Sequence, residues 1–473
     1  MASTKTDRRP APAPTGDLPC RLAVSARYLP RPAAAVQRWL ANRQRRNPFR
    51  VGRVPFADLT GWSFAPETGD LVHESGRFFS IEGRHVRTDY GPVPEWWQPI
   101  IHQPERAILG ILVREIDGVL HFLMQAKMEP GNANGVQLSP TVQSTPSNYL
   151  RTHKGSTSRY VEYFTEPGRG RVLVDVLQSE QGSWFSGKRN RNIIIEVSEE
   201  VPPHDDFIWL SLGQILTLLH QPNLINMDAR TVLSCLPMTD HLAGDAGFRR
   251  AVSGSVRCVD DGAWQPLING RSWLIERKSY YTLSTRTVPL SDVVGWHRDD
   301  REIRHHAGRY FRIIGVDVQA SNREVARWRQ PLLAPCGLGL VAFLLRRIDG
   351  VLHVLAHADL RLGYRDTVEL GPTVHCTPGN FVGVPDRLRP RYLDLVLSGA
   401  GRVRYDVVQS EEGGRFHHAL TRHVLIEVDD DFPLDTPPDY TWLTMGQLMA
   451  LVLASYQLNI EARSLLLCLQ ALR

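Results

Sequence analysis

Cysteine is sparse: six in 473 residues, at 20, 235, 258, 336, 376 and 468, with no C-x-x-C pair and no two close together. That spacing argues against a disulfide scaffold or a cysteine-ligated zinc site. Long apolar runs are missing too. Nothing approaches the ~20 residues that a membrane-spanning helix needs, so no spanning helix is expected. Charge of one sign is also lacking, with 55 basic against 50 acidic residues and a net charge of +5. The balance is too mild for a nucleic-acid partner, yet it leaves room for a local basic site facing a small anion. There is no G-x-G-x-x-G after a strand and no Walker loop, so NAD-dependent or ATP-dependent chemistry has no support. No H-E-x-x-H occurs. His305-His306 and His417-His418 are adjacent pairs, and neighbours on a strand point to opposite faces. Asp429-Asp430-Asp431 reads as a solvated turn, so no metal is expected. The N-terminus carries Lys5, Arg8 and Arg9, then a Pro/Ala-rich stretch at 10–19 in place of an apolar core. It is therefore no signal peptide. The reading is a reduced, cytoplasmic protein with a disordered leader over 1–30.

What is present is an ordinary globular balance, 42% hydrophobic and 22% charged, and an internal repeat. Asp117-Gly118-Val119-Leu120-His121 returns as Asp349-Gly350-Val351-Leu352-His353. At the same offset Gly76-Arg77 returns as Gly308-Arg309, Gln98-Pro99 as Gln330-Pro331, Pro140-Thr141-Val142 as Pro372-Thr373-Val374, and Thr145-Pro146 as Thr377-Pro378. Further on, DVLQSE at 175–180 matches DVVQSE at 406–411, and Asn226, Ala229 and Arg230 match Asn459, Ala462 and Arg463. A period this long means two similar globular modules in tandem about a pseudo-twofold axis, here 31–240 and 241–473, with the join within 238–262.

Each copy reads as mixed α/β. Two apolar runs flank Asp117-Gly118 and again Asp349-Gly350. Such a dipeptide suits a type I′ hairpin, whose two central residues take positive φ. Stretches 172–178 and 192–197 are strand candidates. Stretches 209–219 and 445–453 carry helical apolar spacing. Residues 33–47 form an amphipathic helix whose basic end suits a helix C-terminus.

Four stretches invite chemistry. Thr145-Pro146-Ser147-Asn148-Tyr149 is a helix-start signature. It is either an ordinary capped helix or a phosphate cradle. Its counterpart holds Thr377 and Asn380. Lys188-Arg189-Asn190-Arg191-Asn192 packs three cations ahead of a strand, and guanidinium groups suit a pyrophosphate. The second copy keeps one of them, Arg422. Lys127 and Glu129 lie two apart, hence on one face of an extended strand, as a base with its polariser or as a surface ion pair. The second copy has lost this pair, so the first is expected to hold most reactive groups. Trp62, Trp296 and Trp273 offer stacking faces or core packing.

These residues resemble the nucleoside-diphosphate-hexose 2,3-dehydratases of deoxysugar biosynthesis, over 62–468. The likeness rests on the duplication and on Gln125-Ala126-Lys127, Glu129-Pro130-Gly131-Asn132 and QLSPTVQ at 137–143. It rests also on DVLQSEQG at 175–182, KRNRN at 188–192 and Asn226-Met227-Asp228-Ala229-Arg230. The resemblance implies Nudix-like modules, a homodimer, and action on dTDP-4-keto-6-deoxyglucose in pathways that decorate antibiotics and related natural products. It implies loss of the sugar 2-hydroxyl, a 3,4-diketo product for a separate 3-ketoreductase, and no cofactor. The metal-binding helix of true Nudix hydrolases is missing, which weighs against a nucleotide-sugar pyrophosphatase. A non-catalytic nucleotide-sugar binder is the other alternative. The chemistry asks for a base, an acid and donors for an oxyanion. Candidates are Lys127, Glu129, Tyr149, His153 and Glu180, with Lys127 and Glu129 at the carbonyl and base positions and Tyr149 or His153 as the acid. The pyrophosphate is expected on Thr145, Pro146, Ser147, Asn148 and Tyr149, with Ser183, Lys188, Arg189 and Arg191 around it. Trp62 would flank the base or sugar.

Overall fold

The computed structural model describes residues 16–149, 158–238, 246–321, 323 and 325–472. Helix Leu18–Arg27 opens the described chain, capped by the Asp17 carboxylate accepting from the Cys20 N–H. Leu22 and Ala26 are buried, and Ser25 Oγ donates to the Leu120 carbonyl at 2.6 Å. Arg21 joins Glu115 and Glu196. The leader expected to be disordered over 1–30 is thus corrected at 18–27. Its apolar residues recur at helical spacing and dock on the first sheet.

Helix Ala33–Arg46 follows, with Val36 and Leu40 inward. Its end is only partly solvated, because buried Arg43 meets Asp205 at 3.1 Å while Arg45 and Arg46 stay exposed.

Two seven-stranded sheets share one strand order. The first runs Arg171–Ser179, Arg189–Glu196, Ile108–Ile116, Val119–Met128, Phe207–Ser211, with Val136–Ser139 and Val142–Ser144 added at the side. The second runs Arg402–Ser410, Leu420–Glu427, Gly339–Ile348, Val351–Leu360, Tyr440–Thr444, with Val368–Gly371 and Val374–Cys376 added. In each, one parallel pairing sits among antiparallel ones. Both Asp-Gly turns take the expected conformation, with φ of 49° and 77° at Asp117 and Gly118, and 49° and 80° at Asp349 and Gly350. The helix expected over 209–219 begins only at Leu212. Trp209 belongs to strand Phe207–Ser211, and Ser211 and Gln214 form a reciprocal capping box there. Its counterpart is Met445–Val452.

Two five-stranded sheets join the halves by exchange. Strand Phe49–Val54 pairs with Phe311–Ala320, and strand Leu283–Val288 pairs with Ser80–Thr88. Each half therefore lends a strand to the other, so a cut at 240/241 does not part the chain into self-contained sheets.

The contact between halves is reciprocal down to single atoms. Gly131 donates its N–H to the Gly413 carbonyl and accepts from the His418 N–H, both at 2.8 Å. Gly363 donates to the Gly182 carbonyl and accepts from the Gly187 N–H, both at 2.9 Å. A Cβ on Gly131 would lie 1.7 Å from the Phe416 carbonyl oxygen, and one on Gly363 1.8 Å from that of Phe185. Deeper in, Arg230 reaches Ser464 and the Ser410 carbonyl, while Arg463 reaches Thr231 and the Ser179 carbonyl. One apolar core containing Leu109, Ile111, Val341 and Phe343 runs across both halves.

Two outcomes are expected. Gly131→Ala loses about 3 kcal/mol of stability or more, since backbone and not a flexible side chain blocks the methyl group. Gly52→Ala, with open space at its Cβ, melts like the parent. The second concerns Glu369, fully buried, with one oxygen accepting from Ser179 Oγ and the other without a partner. Burial pushes its carboxyl up to about 7. A raised carboxyl contributes stability in full below its unfolded value near 4.5, and the contribution disappears as pH climbs through 7. Melting curves of Glu369→Gln against the parent from pH 5 to 8 should therefore diverge, with the variant gaining on the parent as pH rises.

Candidate functional site

A cavity of about 440 Å³ lies where the halves meet, within the usual size range for small-molecule sites. The small first sheet supplies Trp62, His73 and Phe79. The first large sheet supplies Lys127, Glu129, Gln143, Lys188 and Asn190, and the helix Met227–Leu233 supplies Asp228. The second half closes it with Arg323, Trp328 and Arg329 along the exchanged sheet, and with Glu412 and Arg415 from the loop after strand Arg402–Ser410.

Lys127 and Glu129 share a face, as their spacing predicts. Lys127 Nζ donates to the Gln143 carbonyl at 3.1 Å, and Gln143 Nε2 donates to Glu129 Oε1 at 3.0 Å. Glu129 Oε2 is buried without a partner, and so is Asp228 Oδ2. Burial, then repulsion from Glu412, Glu180 and Glu129, holds the Asp228 carboxyl well above the usual carboxylate range. Burial raises Glu412 as well, against the pull of Arg415. Burial pushes Lys188 down, although Glu412 and Glu180 face it. His73 is lowered by burial too. Asp228 with its raised carboxyl, Glu129 with an unpartnered oxygen, and Lys127 thus line one chamber.

The helix start is differently used from the cradle expected. The described part of this helix is Pro146–Tyr149. Glu105 Oε1 accepts from the Ser147 N–H at 3.1 Å and from its hydroxyl. A carboxylate of the protein occupies the place expected for phosphate. Thr145 and Asn148 line the cavity, whereas Pro146, Ser147 and Tyr149 do not. Tyr149 packs instead against the apolar cluster that contains Tyr160 and Phe164, and His153 lies outside the described residues.

Of the three cations, Lys188 alone lines the cavity, its Nζ donating to the Glu105 carbonyl. Alternation along the strand explains this. Lys188 and Asn190 face inward; Arg189 reaches the Tyr456 hydroxyl at 2.9 Å, and Arg191 holds Asp175 with two bonds of 2.8 and 2.6 Å. Arg422 repeats that surface pair with Asp406. Glu180 sits behind the wall, accepting from Asn190 Nδ2 at 2.7 Å. The Ser183 carbonyl accepts from Gln98.

Trp62 lines the cavity, its indole N–H donating to the Arg329 carbonyl at 2.9 Å. Trp296 and Trp273 do not: their indoles bond the Trp97 and Pro438 carbonyls. Thr377 precedes the matching turn Pro378–Phe381 of the second half, and Asn380 lies within it, its Oδ1 accepting from the Tyr310 N–H.

At the mirror position the second half places Asp359 for Lys127, Arg361 for Glu129 and His375 for Gln143. These satisfy one another: Asp359 meets Arg361 at 3.0 Å and His375 at 3.3 Å, and it accepts from the Tyr364 hydroxyl at 3.1 Å. Burial alone would raise the Asp359 carboxyl, yet Arg361 and His375 hold it well below the usual range.

Sequence reasoning missed Asp228, Glu412, Arg415, His73, Arg323, Trp328 and Arg329. Asp228 stood within the quoted Asn226-Met227-Asp228-Ala229-Arg230 segment. Glu412 follows the second DVVQSE, where the first copy has Gln181. The strand exchange that brings Trp328 and Arg329 to the first half leaves no local signal.

Comparison with known proteins accords with this geometry. A family model described as NDP-hexose 2,3-dehydratase matches residues 33–236 and 269–469, one segment in each half. A Saccharopolyspora spinosa protein named dTDP-4-dehydro-6-deoxy-alpha-D-glucopyranose 2,3-dehydratase is 52% identical over 441 residues, covering 92% of this chain and 90% of its own. Proteins of the same name from Amycolatopsis orientalis and Streptomyces violaceoruber are 50% and 49% identical, over 92% and 93% of this chain and 90% and 97% of theirs. The chain belongs to the NDP-hexose 2,3-dehydratase family.

Proposed function

We propose that this protein is a carbon–oxygen lyase that dehydrates dTDP-4-keto-6-deoxyglucose across carbons 2 and 3. Its relatives carry that activity in their names. The observation that carries the reading here is the juxtaposition of Lys127 and Glu129 Oε2 in the interhalf cavity. The 4-ketone acidifies the proton on carbon 3. Glu129 Oε2 accepts that proton, and the Lys127 ammonium stabilises the enolate oxygen. Expulsion of the 2-hydroxyl leaves an enol, which rearranges to the 3,4-diketone. Trp62 and Trp328 offer flat faces to the base or sugar. Lys188 and Arg415 supply positive charge for the diphosphate.

The finer reading has each half as a Nudix-like module, supported by a mixed sheet packed with helices. It has the chain as a cytoplasmic homodimer in natural-product deoxysugar biosynthesis. The diketone calls for a downstream 3-ketoreductase.

Incubation with dTDP-4-keto-6-deoxyglucose, EDTA, and a 3-ketoreductase with NADPH as trap tests the reaction. Mass spectrometry should show loss of one water followed by reduction; an intact sugar nucleotide contradicts the assignment, and release of a nucleoside monophosphate points to a pyrophosphatase. Glu129→Gln should lower kcat by roughly 10²–10⁴-fold. By calorimetry, Lys188→Ala should weaken dTDP binding, while Arg191→Ala and Arg422→Ala bind as the parent does.

A further inference from the structure

Beta-elimination needs an acid for the departing hydroxyl. Tyr149 is not part of the cavity lining and packs against the apolar cluster that contains Tyr160 and Phe164. Another residue inside the chamber has the required properties. Asp228 lines the cavity, is only 1% exposed, and has a carboxyl oxygen without a hydrogen-bond partner among the described residues. Resting on the dehydratase reading, we propose that Asp228 is the catalytic acid that protonates the leaving 2-hydroxyl.

The groups around it favour that role. Glu412 approaches from the second half, Glu180 from the end of its strand, and Glu129 from the hairpin strand; Lys127 is the cation among them. Burial, with Glu412, Glu180 and Glu129 around it, favours the protonated form of this carboxyl. Carboxyl groups held in different surroundings within one chamber permit the division into base and acid that the elimination needs.

The step balances. Glu129 takes the carbon 3 proton, and the C–H electron pair becomes the enolate. The enolate pair then forms the carbon 2–carbon 3 double bond as the carbon 2–oxygen bond breaks. The oxygen departs with that bond's electrons, takes the Asp228 proton and leaves as water. The enol becomes the diketone by moving its hydroxyl proton to carbon 2. Solvent exchange carries the proton from Glu129 back to Asp228, so no oxidant or reductant is consumed.

The test runs the full-length protein and its Asp228→Asn variant with dTDP-4-keto-6-deoxyglucose in deuterium oxide. Deuterium entering carbon 3 reports the base step, and water loss reports the complete reaction. The variant should bind dTDP like the parent by calorimetry. It should still exchange carbon 3 and lose water at least roughly 10²-fold more slowly. Glu129→Gln should do neither. Should Asp228→Asn fail to fold by circular dichroism, Asp228→Ser is judged on the same criteria. Turnover within a few-fold of the parent overturns the proposal, as does loss of exchange together with elimination. A parent enzyme that releases no water overturns the dehydratase reading and this proposal with it. An active parent with an equally active Asp228 variant overturns the proposal alone.

Discussion

Everything in the site depends on two backbone crossings. At Gly131 the exit of the first hairpin threads between Gly413 and His418 of the opposite loop, and at Gly363 the second hairpin does the same between Gly182 and Gly187. The approach admits no Cβ on either strand. Each crossing fixes the register of one half against the other to within a hydrogen bond. The crossing at Gly131 also positions cavity-lining residues. The residues just before it include Glu129, and the loop it meets carries Glu412 and Arg415. Packing and chemistry are therefore one arrangement.

Two halves with one topology have taken different tasks through a handful of side chains. Lys127 and Glu129 line the cavity, and one buried Glu129 oxygen has no hydrogen-bond partner among the described residues. Their mirror residues Asp359 and Arg361 reverse the charge order and close on each other with His375 and Tyr364. In the loops the exchange runs the other way. The first half presents Gln181, whose amide donates to Glu411, whereas the second presents Glu412 to the chamber. The sheet of one half lines the chamber and the other half supplies its cover. Burying several carboxyls together costs stability unless they are protonated or paired, and the chamber uses both remedies, with Asp228 raised and Glu412 beside Arg415.

Local patterns were legible in the sequence because they depend on local rules. The Asp-Gly turns, the strands beside them and the helix at 445 follow from turn chemistry and periodicity. Lys127 and Glu129 were legible because residues two apart on a strand share a face. The same rule, applied to 188–191, would have turned Arg189 and Arg191 outward; grouping three cations by proximity in sequence overrode it. Trp209 read as helical because its apolar neighbours fit that period, yet strand pairing with Leu123 claims it. The helix at 18–27 was hidden behind a Pro/Ala-rich neighbour. Strand exchange was invisible, since its partners are distant in sequence and nothing local marks the swap. Arg323, Trp328 and Arg329 were unreachable for that reason.

The central claim is that a single cavity, built by both halves, holds the sugar nucleotide. A crystal structure of the full chain with dTDP tests it most directly. The account predicts nucleotide density in the chamber between Trp62 and Trp328, with the diphosphate in contact with Lys188 and with at least one of Arg323, Arg329 and Arg415 from the second half. A nucleotide held in the chamber by first-half residues alone, or absent from the chamber altogether, would contradict it.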